Sequence, residues 1–291
     1  METSGRSAEH DSAVRDTASD ASLCKLSASQ LGYYVDPFVQ FFVKSPSRRM
    51  PIINRGYYAR VAAVESLVRR FLASGDDPQT KKQVVILGAG LDTMFFRLKS
   101  QGLLANCEYF ELDFPDVTMQ KVSAVKRRKP LHSLLGLRYT ELNVDGYHLL
   151  PCDLRDLEAT SAKLETAGID CTAPTLFVSE CVLIYMEAKF STQLVAWASL
   201  YFGDVSFALY EQILPDDAFG RVMMANIKAR GCDLLSIHDF PTVDAQIARF
   251  TEHNYEVAQC WDMNKIYYHY LDPSERVKYV LIVYVGACYK C

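Results

Sequence analysis

Two glycines at the end of an apolar run are the residues that most directly indicate chemistry in this chain. The segment at residues 82–87, apolar from Val84 onward, leads into Gly88 and Gly90, and residues 94–98 are compatible with a helix. Such a strand–turn–helix pattern binds nucleotide-like cofactors, because glycine adopts dihedrals closed to other residues and lets the backbone approach a ligand. The third glycine of a dinucleotide-binding motif would fall at Thr93, which weakens a pyrophosphate-binding interpretation.

Acidic residues close the next three predicted strands. They are Asp113 after residues 109–112, Asp153 after residues 147–152 and Glu180 after residues 175–179. Ligands of open α/β sheets bind outside the carboxyl ends of the strands, where a carboxylate can accept hydrogen bonds from ribose hydroxyls. One such acid alone is more often a helix cap or a solvated turn residue. Their repetition at successive strand ends predicts that they face one crevice.

Six motifs together resemble the leucine carboxyl methyltransferases. They are ASLCK (21–25), INRGYYAR (53–60), LGAGLDT (87–93), FELDFP (110–115), DLRDL (153–157) and SECVLIYM (179–186). The resemblance covers roughly residues 20–271. It implies an S-adenosylmethionine-dependent enzyme that esterifies the C-terminal leucine carboxylate of the catalytic subunit of type 2A protein phosphatases.

Each part of such a cofactor has an expected partner in the sequence. Backbone amides at Gly88 and Gly90 would approach its amino acid end, since amides at a helix N-terminus tolerate a carboxylate. Asp113 would accept hydrogen bonds from the ribose hydroxyls. Asp153, together with the Leu154 backbone, would bind the adenine amine and ring edge. These five residues are therefore predicted to bind the cofactor.

The resemblance implies three further contacts: Lys25 and Arg60 to the cofactor's carboxylate, and Glu180 to its ammonium group. The methyl acceptor, a C-terminal carboxylate with a pKa of roughly 3.5, is already ionised at neutral pH. Transfer then needs alignment and desolvation rather than a general base. Arg60, which could reach both carboxylates, and Tyr185 are the predicted catalytic residues. Cys181 has no basic neighbour in sequence and is predicted to be a packing residue.

The elements that must position these residues alternate between strand and helix over residues 82–261, which predicts an α/β, doubly wound, mostly parallel sheet of the Rossmann-like methyltransferase type. Apolar residues at helical spacing over residues 57–71 predict an N-terminal helical extension. A fifth strand at residues 206–211 is followed by an insert at residues 214–239, either a substrate lid or ordinary core. Its candidate pocket residues for a leucine side chain are Met223, Met224 and Ile227. A sixth strand is expected at residues 256–261.

Three segments are predicted along the chain. Residues 1–20 are polar, nearly without large apolar side chains, and are expected to be disordered. Residues 21–276 form the methyltransferase domain, and residues 277–291 are a divergent or truncated C-terminal tail. Within the tail, residues 279–285 are rich in Tyr and Val and are expected to fill a slot between strands five and six. The basic residues from Lys121 to Lys129 are expected on a solvated helix face, the alternative being a surface that binds an acidic partner.

Composition excludes several classes of protein. A chain of 291 residues with 49% hydrophobic content suits one large domain, and a net charge of −4 argues against nucleic-acid binding. The apolar stretches are too short to span a membrane. Nine irregularly spaced cysteines, without a secretory leader, predict a reduced cytoplasmic protein. Six scattered histidines offer no metal site. A monomer is expected.

Two alternatives to the protein carboxyl methyltransferase stay open. One is a small-molecule or tRNA O-methyltransferase of the same superfamily. The other is a variant that binds cofactor or phosphatase without turnover, because an incomplete sheet impairs catalysis. Cofactor binding measured together with methyl transfer distinguishes the three.

Overall fold

The computed structural model describes residues 2–77, 79–136, 143–144, 146–271 and 273. Six strands form one sheet in the order β3-β4-β2-β1-β5-β6. The strands are β1 (Lys82–Leu87), β2 (Cys107–Asp113), β3 (Asn143–Val144), β4 (Tyr147–Pro151), β5 (Thr175–Glu180) and β6 (Val205–Tyr210). All neighbours pair in parallel except β3 and β4, so the predicted mostly parallel α/β fold is confirmed. The short β3 was not predicted.

Strand β1 is the centre of this fold. It pairs with β2 on one side and β5 on the other, so the chain reverses its direction of winding at β1. All six residues of β1 are buried, as expected for a parallel strand covered on both faces. Val84 and Ile86 enter one hydrophobic cluster, and Val85 and Leu87 enter another on the opposite face. Ligand crevices form at such a reversal, beyond the carboxyl ends of the strands.

Ten α-helices and two short 3-10 helices complete the described part of the chain. They are α1 (Glu2–Gln30), α2 (Pro51–Ala73), α3 (Met94–Ser100), α4 (Pro115–Arg127), α5 (Lys129–Leu135), α6 (Leu157–Thr166), α7 (Ala188–Tyr201), α8 (Ala218–Lys228), α9 (Val243–Thr251) and α10 (Met263–His269), with 3-10 helices at Val39–Phe41 and Leu183–Tyr185. Helices α1 and α2 form the expected N-terminal extension. The insert after β6 contains α8.

The structure differs from the disorder expected for residues 1–20, because α1 begins at Glu2. Long-range charge pairs along the helix explain the difference. Asp11 and Arg155 lie 2.7 Å apart, and Arg15 and Asp116 lie 3.5 Å apart. Composition alone could not reveal these partners, which belong to distant parts of the sequence. The boundaries of the domain at residues 21–276 remain a prediction.

The prediction of a strand at residues 256–261 is wrong, since these residues have an irregular backbone. A strand needs a neighbour to satisfy its amides and carbonyls. Within the described residues, only β5 pairs with β6. Residues 279–285, the expected occupant of the slot beside β6, lie outside the described residues.

Lys121 occupies the buried face of α4 instead of the solvated face expected from sequence. Its side chain is 0% exposed and forms an ion pair with Glu111, which is 1% exposed. Tyr147 also donates to Glu111 Oε2, at 2.8 Å. Burial raises the pKa of Glu111, while Lys121 and the Tyr147 hydroxyl oppose that rise. Because α4 packs on β2, its buried residues recur at helical spacing and include Lys121.

We expect Lys121→Met to lower the free energy of unfolding by about 3–5 kcal/mol, because it leaves the Glu111 carboxylate buried without its counter-charge. Glu111→Gln should cost a similar amount. The double variant should lose clearly less unfolding free energy than the two single variants lose together, since neither charge is then buried without its partner. Urea denaturation of the four proteins measures this coupling. Arg127→Met, on the exposed surface of the same helix, is the control. Additive losses would contradict the buried pair.

Candidate active site

A cavity of about 290 Å³ opens at the carboxyl ends of β1, β2 and β5, beneath α1. The structure brings all nine sequence-predicted site residues to its wall: Lys25, Arg60, Gly88, Gly90, Asp113, Asp153, Leu154, Glu180 and Tyr185. The first two come from the helical extension, and the others lie at the carboxyl ends of strands or in the segments that follow them. The expectation that the strand ends share one crevice therefore agrees with the geometry.

The turn after β1 requires glycine at Gly88. Its φ is +65°, and a Cβ built there would lie 2.5 Å from Val182 Cγ2. Gly90 has φ +52°, and a Cβ there would lie 3.3 Å from the Ala18 side chain. A larger residue at either position would have a strained backbone conformation. It would also push away the segment after β5, at Gly88, or α1, at Gly90.

Asp113 joins the end of β2 to this glycine turn. Its Oδ2 accepts the Gly90 amide at 2.6 Å, and its Oδ1 accepts the Phe114 amide at 2.7 Å. Burial raises the pKa of Asp113, and the two amides oppose the rise. A carboxylate has about four lone-pair sites, so both oxygens can still accept a ligand's hydroxyl.

Four charged side chains meet at one end of the cavity. Lys25 Nζ lies 2.6 Å from Asp92 Oδ2 and 3.1 Å from Glu180 Oε1. The Arg60 guanidinium also contacts Glu180 Oε1, and it approaches the Glu180 carbonyl oxygen at 3.4 Å. Asp92 was not predicted as a site residue, although it lies within the recognised motif at residues 87–93. Two cations and two carboxylates leave the group electrically balanced.

Mutual attraction keeps these groups charged despite their burial. Burial alone would raise the pKa of Glu180, but Arg60 and Lys25 hold it below its ordinary value. Asp92 behaves in the same way, since Lys25 and Arg97 outweigh burial and lower its pKa. For Lys25, burial favours the neutral amine, yet Asp92 and Glu180 raise its pKa. The cluster is therefore fully ionised at neutral pH.

Aromatic rings hold the Arg60 guanidinium in place. Its carbon lies 5.4 Å from the Tyr57 ring centroid and 5.3 Å from that of Tyr210. The Cys181 amide donates to the Tyr210 carbonyl at 2.7 Å, which fixes Cys181 at φ +57°. Burial raises the pKa of the Cys181 thiol to about 11. The thiol therefore stays protonated at neutral pH, as its predicted packing role requires.

Tyr185 lies on the 3-10 helix after β5. The residue that follows β6, Glu211, holds this helix by a hydrogen bond. Glu211 Oε1 accepts the Ile184 amide at 2.7 Å, and Glu211 Oε2 accepts from Arg249 at 3.1 Å. Glu211 and Arg249 are 2% and 0% exposed. Burial raises the pKa of the Tyr185 phenol. Sequence reasoning missed this positioning pair, although an acid directly after β6 repeats the pattern of the other strand ends.

The opposite end of the cavity is built around Asp153. Arg155 Nε lies 2.9 Å from Asp153 Oδ1, and Arg155 also makes two hydrogen bonds to Asp11, at 3.0 and 2.7 Å. Burial would raise the pKa of Asp153, but hydrogen bonds from Arg155 lower it. Arg155 thus fastens the first half of α1 over the cavity. Neither Asp11 nor Arg155 was predicted.

The insert after β6 contributes Ile227 of α8 to the cavity wall. Met223 and Met224 instead pack with Tyr185 against a small cluster of Ile184, Leu234 and Ile237. No group of three potential metal-ligating side chains occurs among residues the structure describes. Within the same part of the chain, no helix is long and apolar enough to cross a membrane.

Comparison with known proteins matches this chain to the leucine carboxyl methyltransferases. The sequence profile of the leucine carboxyl methyltransferase family matches residues 13–199. The Arabidopsis thaliana leucine carboxyl methyltransferase 1 homolog is 43% identical, over 91% of this chain and 80% of its own length. Leucine carboxyl methyltransferase 1 of Rattus norvegicus is 37% identical, over 88% of this chain and 79% of its own.

Two further comparisons support less, because one match covers under half of the relative and the other has low sequence identity. Human tRNA wybutosine-synthesizing protein 4 is 37% identical over 91% of this chain, but the match spans 40% of that protein. A solved structure from Thermobifida fusca, provisionally named a methyltransferase, superposes with a TM-score of 0.51 at 12% identity. It covers 77% of this chain and 79% of its own, and it bears on the fold alone.

We expect Asp11→Asn to increase amide hydrogen exchange in residues 8–20 by about two- to fivefold, since partly exposed ion pairs contribute roughly 0.2–1 kcal/mol. Exchange in β1 and β5 should not change. Hydrogen-exchange mass spectrometry makes the measurement. Asp16→Asn, at an exposed position on the same helix, is the matched control. Equal exchange in the two variants would contradict a fastening role for the Asp11–Arg155 pair.

Proposed function

Since this chain belongs to the leucine carboxyl methyltransferase family, we propose that it transfers a methyl group from S-adenosylmethionine to the C-terminal leucine carboxylate of type 2A protein phosphatase catalytic subunits. The observation that carries the proposal is the arrangement of one cavity. A charge-balanced cluster containing Lys25 and Glu180 lies at one end, and Asp153 lies at the other, with Asp113 joined to the glycine turn.

The charged end suits the amino acid part of the cofactor. This part carries one carboxylate and one ammonium, so it adds no net charge to a balanced cluster. Lys25 and Arg60 would attract the carboxylate, and Glu180 would accept from the ammonium. Gly88 supports the fit, because Val182 already fills the space of a Cβ and only glycine permits the turn at φ +65° that places this backbone on the cavity wall.

The ribose and adenine fit the remaining wall. Asp113 would accept hydrogen bonds from the ribose hydroxyls with lone pairs left free by the Gly90 and Phe114 amides. Asp153 and the Leu154 backbone would bind the adenine edge, with Arg155 holding the carboxylate in orientation. Bound S-adenosylmethionine supplies an electrophilic methyl group attached to a cationic sulfur.

The reaction needs a second carboxylate, that of the substrate, near the same charged end. Arg60 would hold it, since its guanidinium carries five donors and is fixed between two aromatic rings. The Tyr185 hydroxyl would orient it. No base is needed, because the acceptor is already ionised. The chain's contribution is alignment and the exclusion of water by α1, which favour the in-line attack.

The similarity to human tRNA wybutosine-synthesizing protein 4 supports a second candidate, methyl transfer to tRNA. The chain's net charge of −4 does not favour a polyanionic substrate. Transfer assays with both substrate classes distinguish the candidates. A third result, cofactor binding without transfer to either substrate, would indicate a binding variant.

We expect Asp153→Ala to weaken S-adenosylmethionine binding about tenfold, because a lost partner for a buried polar group costs roughly 1–3 kcal/mol. Isothermal titration calorimetry on the folded variant measures the affinity. Glu158→Ala removes an equal charge from an exposed position nearby and should leave binding unchanged. Unaltered affinity in the Asp153 variant would remove this residue from the cofactor site.

We expect tritium from methyl-labelled S-adenosylmethionine to enter a phosphatase catalytic subunit only when its terminal leucine carboxylate is free. A subunit whose terminal leucine is a carboxamide keeps the side chain but lacks the nucleophile, and it serves as the control. Bulk tRNA tests the second candidate in parallel. Equal labelling of the free and blocked subunits would refute the leucine carboxylate as acceptor while leaving methyl transfer intact.

A further inference from the structure

Among the described residues, one buried side-chain oxygen at the cavity accepts no hydrogen bond. Gln212 lies two residues beyond β6 and lines the cavity. Its Oε1 is buried, and it accepts no hydrogen bond from any described residue. Other described side chains have buried unpartnered atoms, but none of those side chains lines this cavity. Because buried carbonyl oxygens are nearly always satisfied, this oxygen points to a ligand that donates a hydrogen bond.

The neighbours of Gln212 indicate which end of the cavity it serves. Tyr210 packs against the Arg60 guanidinium, with 5.3 Å to its ring centroid. Glu211 holds the 3-10 helix that carries Tyr185 through the Ile184 amide, at 2.7 Å. Gln212 therefore continues a segment that packs against Arg60 and holds the 3-10 helix on which Tyr185 lies. It belongs to the end where the acceptor carboxylate would enter.

We infer that Gln212 recognises the substrate's peptide backbone, with its Oε1 accepting the N–H of the terminal residue. This inference rests on the proposed function. A carboxylate nucleophile offers only acceptors and cannot satisfy Oε1. The cofactor's ammonium is a donor, but Glu180 already provides a carboxylate for it. In a C-terminal amino acid, the amide N–H is attached to the same Cα as the carboxylate, so it reaches the site with the nucleophile.

The inferred contact has a consequence for specificity. A site built to bond an N–H discriminates strongly against an otherwise similar ligand that lacks it, because the buried acceptor is then left unsatisfied. Gln212 would thus favour the end of a polypeptide over a simple carboxylic acid. The same residue would separate a protein carboxyl methyltransferase from a small-molecule one on the same fold.

The test compares two semisynthetic phosphatase catalytic subunits. One ends in leucine, and the other ends in the corresponding hydroxy acid, so that an ester oxygen replaces the terminal N–H. We expect wild-type enzyme to methylate the ester-linked subunit with about tenfold lower kcat/KM. In Gln212→Met, which has similar length but no amide, the two subunits should react within about twofold of each other. Cofactor affinity, measured by calorimetry, should be unchanged.

Controls keep the outcomes separate. Gln193→Met changes an exposed glutamine of α7 and should retain the wild-type preference. An equal preference in wild type and Gln212→Met would overturn the inference, and so would loss of cofactor affinity in that variant. Wild-type enzyme that does not distinguish the two subunits would overturn it without any variant. Wild-type enzyme that labels neither subunit would instead refute the proposed function.

Discussion

The ion-paired group formed by Lys25, Arg60, Asp92 and Glu180, which is largely withdrawn from solvent, is the constraint on which the rest of the site depends. Each charge would be costly to bury alone, and each is compensated by an opposite charge. The four residues come from α1, α2, the turn after β1 and the end of β5. Pairing them therefore fixes both helices of the extension against the carboxyl edge of the sheet, and the cavity results from that arrangement.

A second buried network holds the same extension from another direction. Arg97 of α3 lies 2.8 Å from Asp36, in the connection between α1 and α2, and 2.9 Å from Glu65 of α2. Thr93 also donates to Asp36 Oδ2, at 2.5 Å. Since Thr93 follows Asp92 directly, the two networks meet in the turn after β1. The glycine turn is thus shaped by strand β1 on one side and by the extension on the other.

Sequence reasoning found the strand ends because their signal is local: apolar runs followed by glycine or an acid. The turn at Gly88 and the strand ending at Asp113 could be predicted in this way. The partners that orient the site could not, because they are distant in sequence. Asp11 and Arg155 are separated by 144 positions, and no spacing pattern connects them. The exposure of Lys121 was predicted wrongly for a related reason. Its buried carboxylate partner, Glu111, lies on another element, and its basic neighbours in sequence are typical of a solvent-exposed face.

Helix α1 unites the two halves of the site more closely than the sheet does. Its residue Asp11 contacts Arg155 at the proposed adenine end, and Lys25 contacts Asp92 and Glu180 at the charged end. Between them, Asp20 lies 3.3 Å from Arg230, just beyond α8 in the insert. One helix therefore touches both the wall proposed for the cofactor and the wall proposed for the substrate. Because Asp11, Asp20 and Lys25 all lie on α1, a displacement of this helix would break ion pairs at both proposed walls.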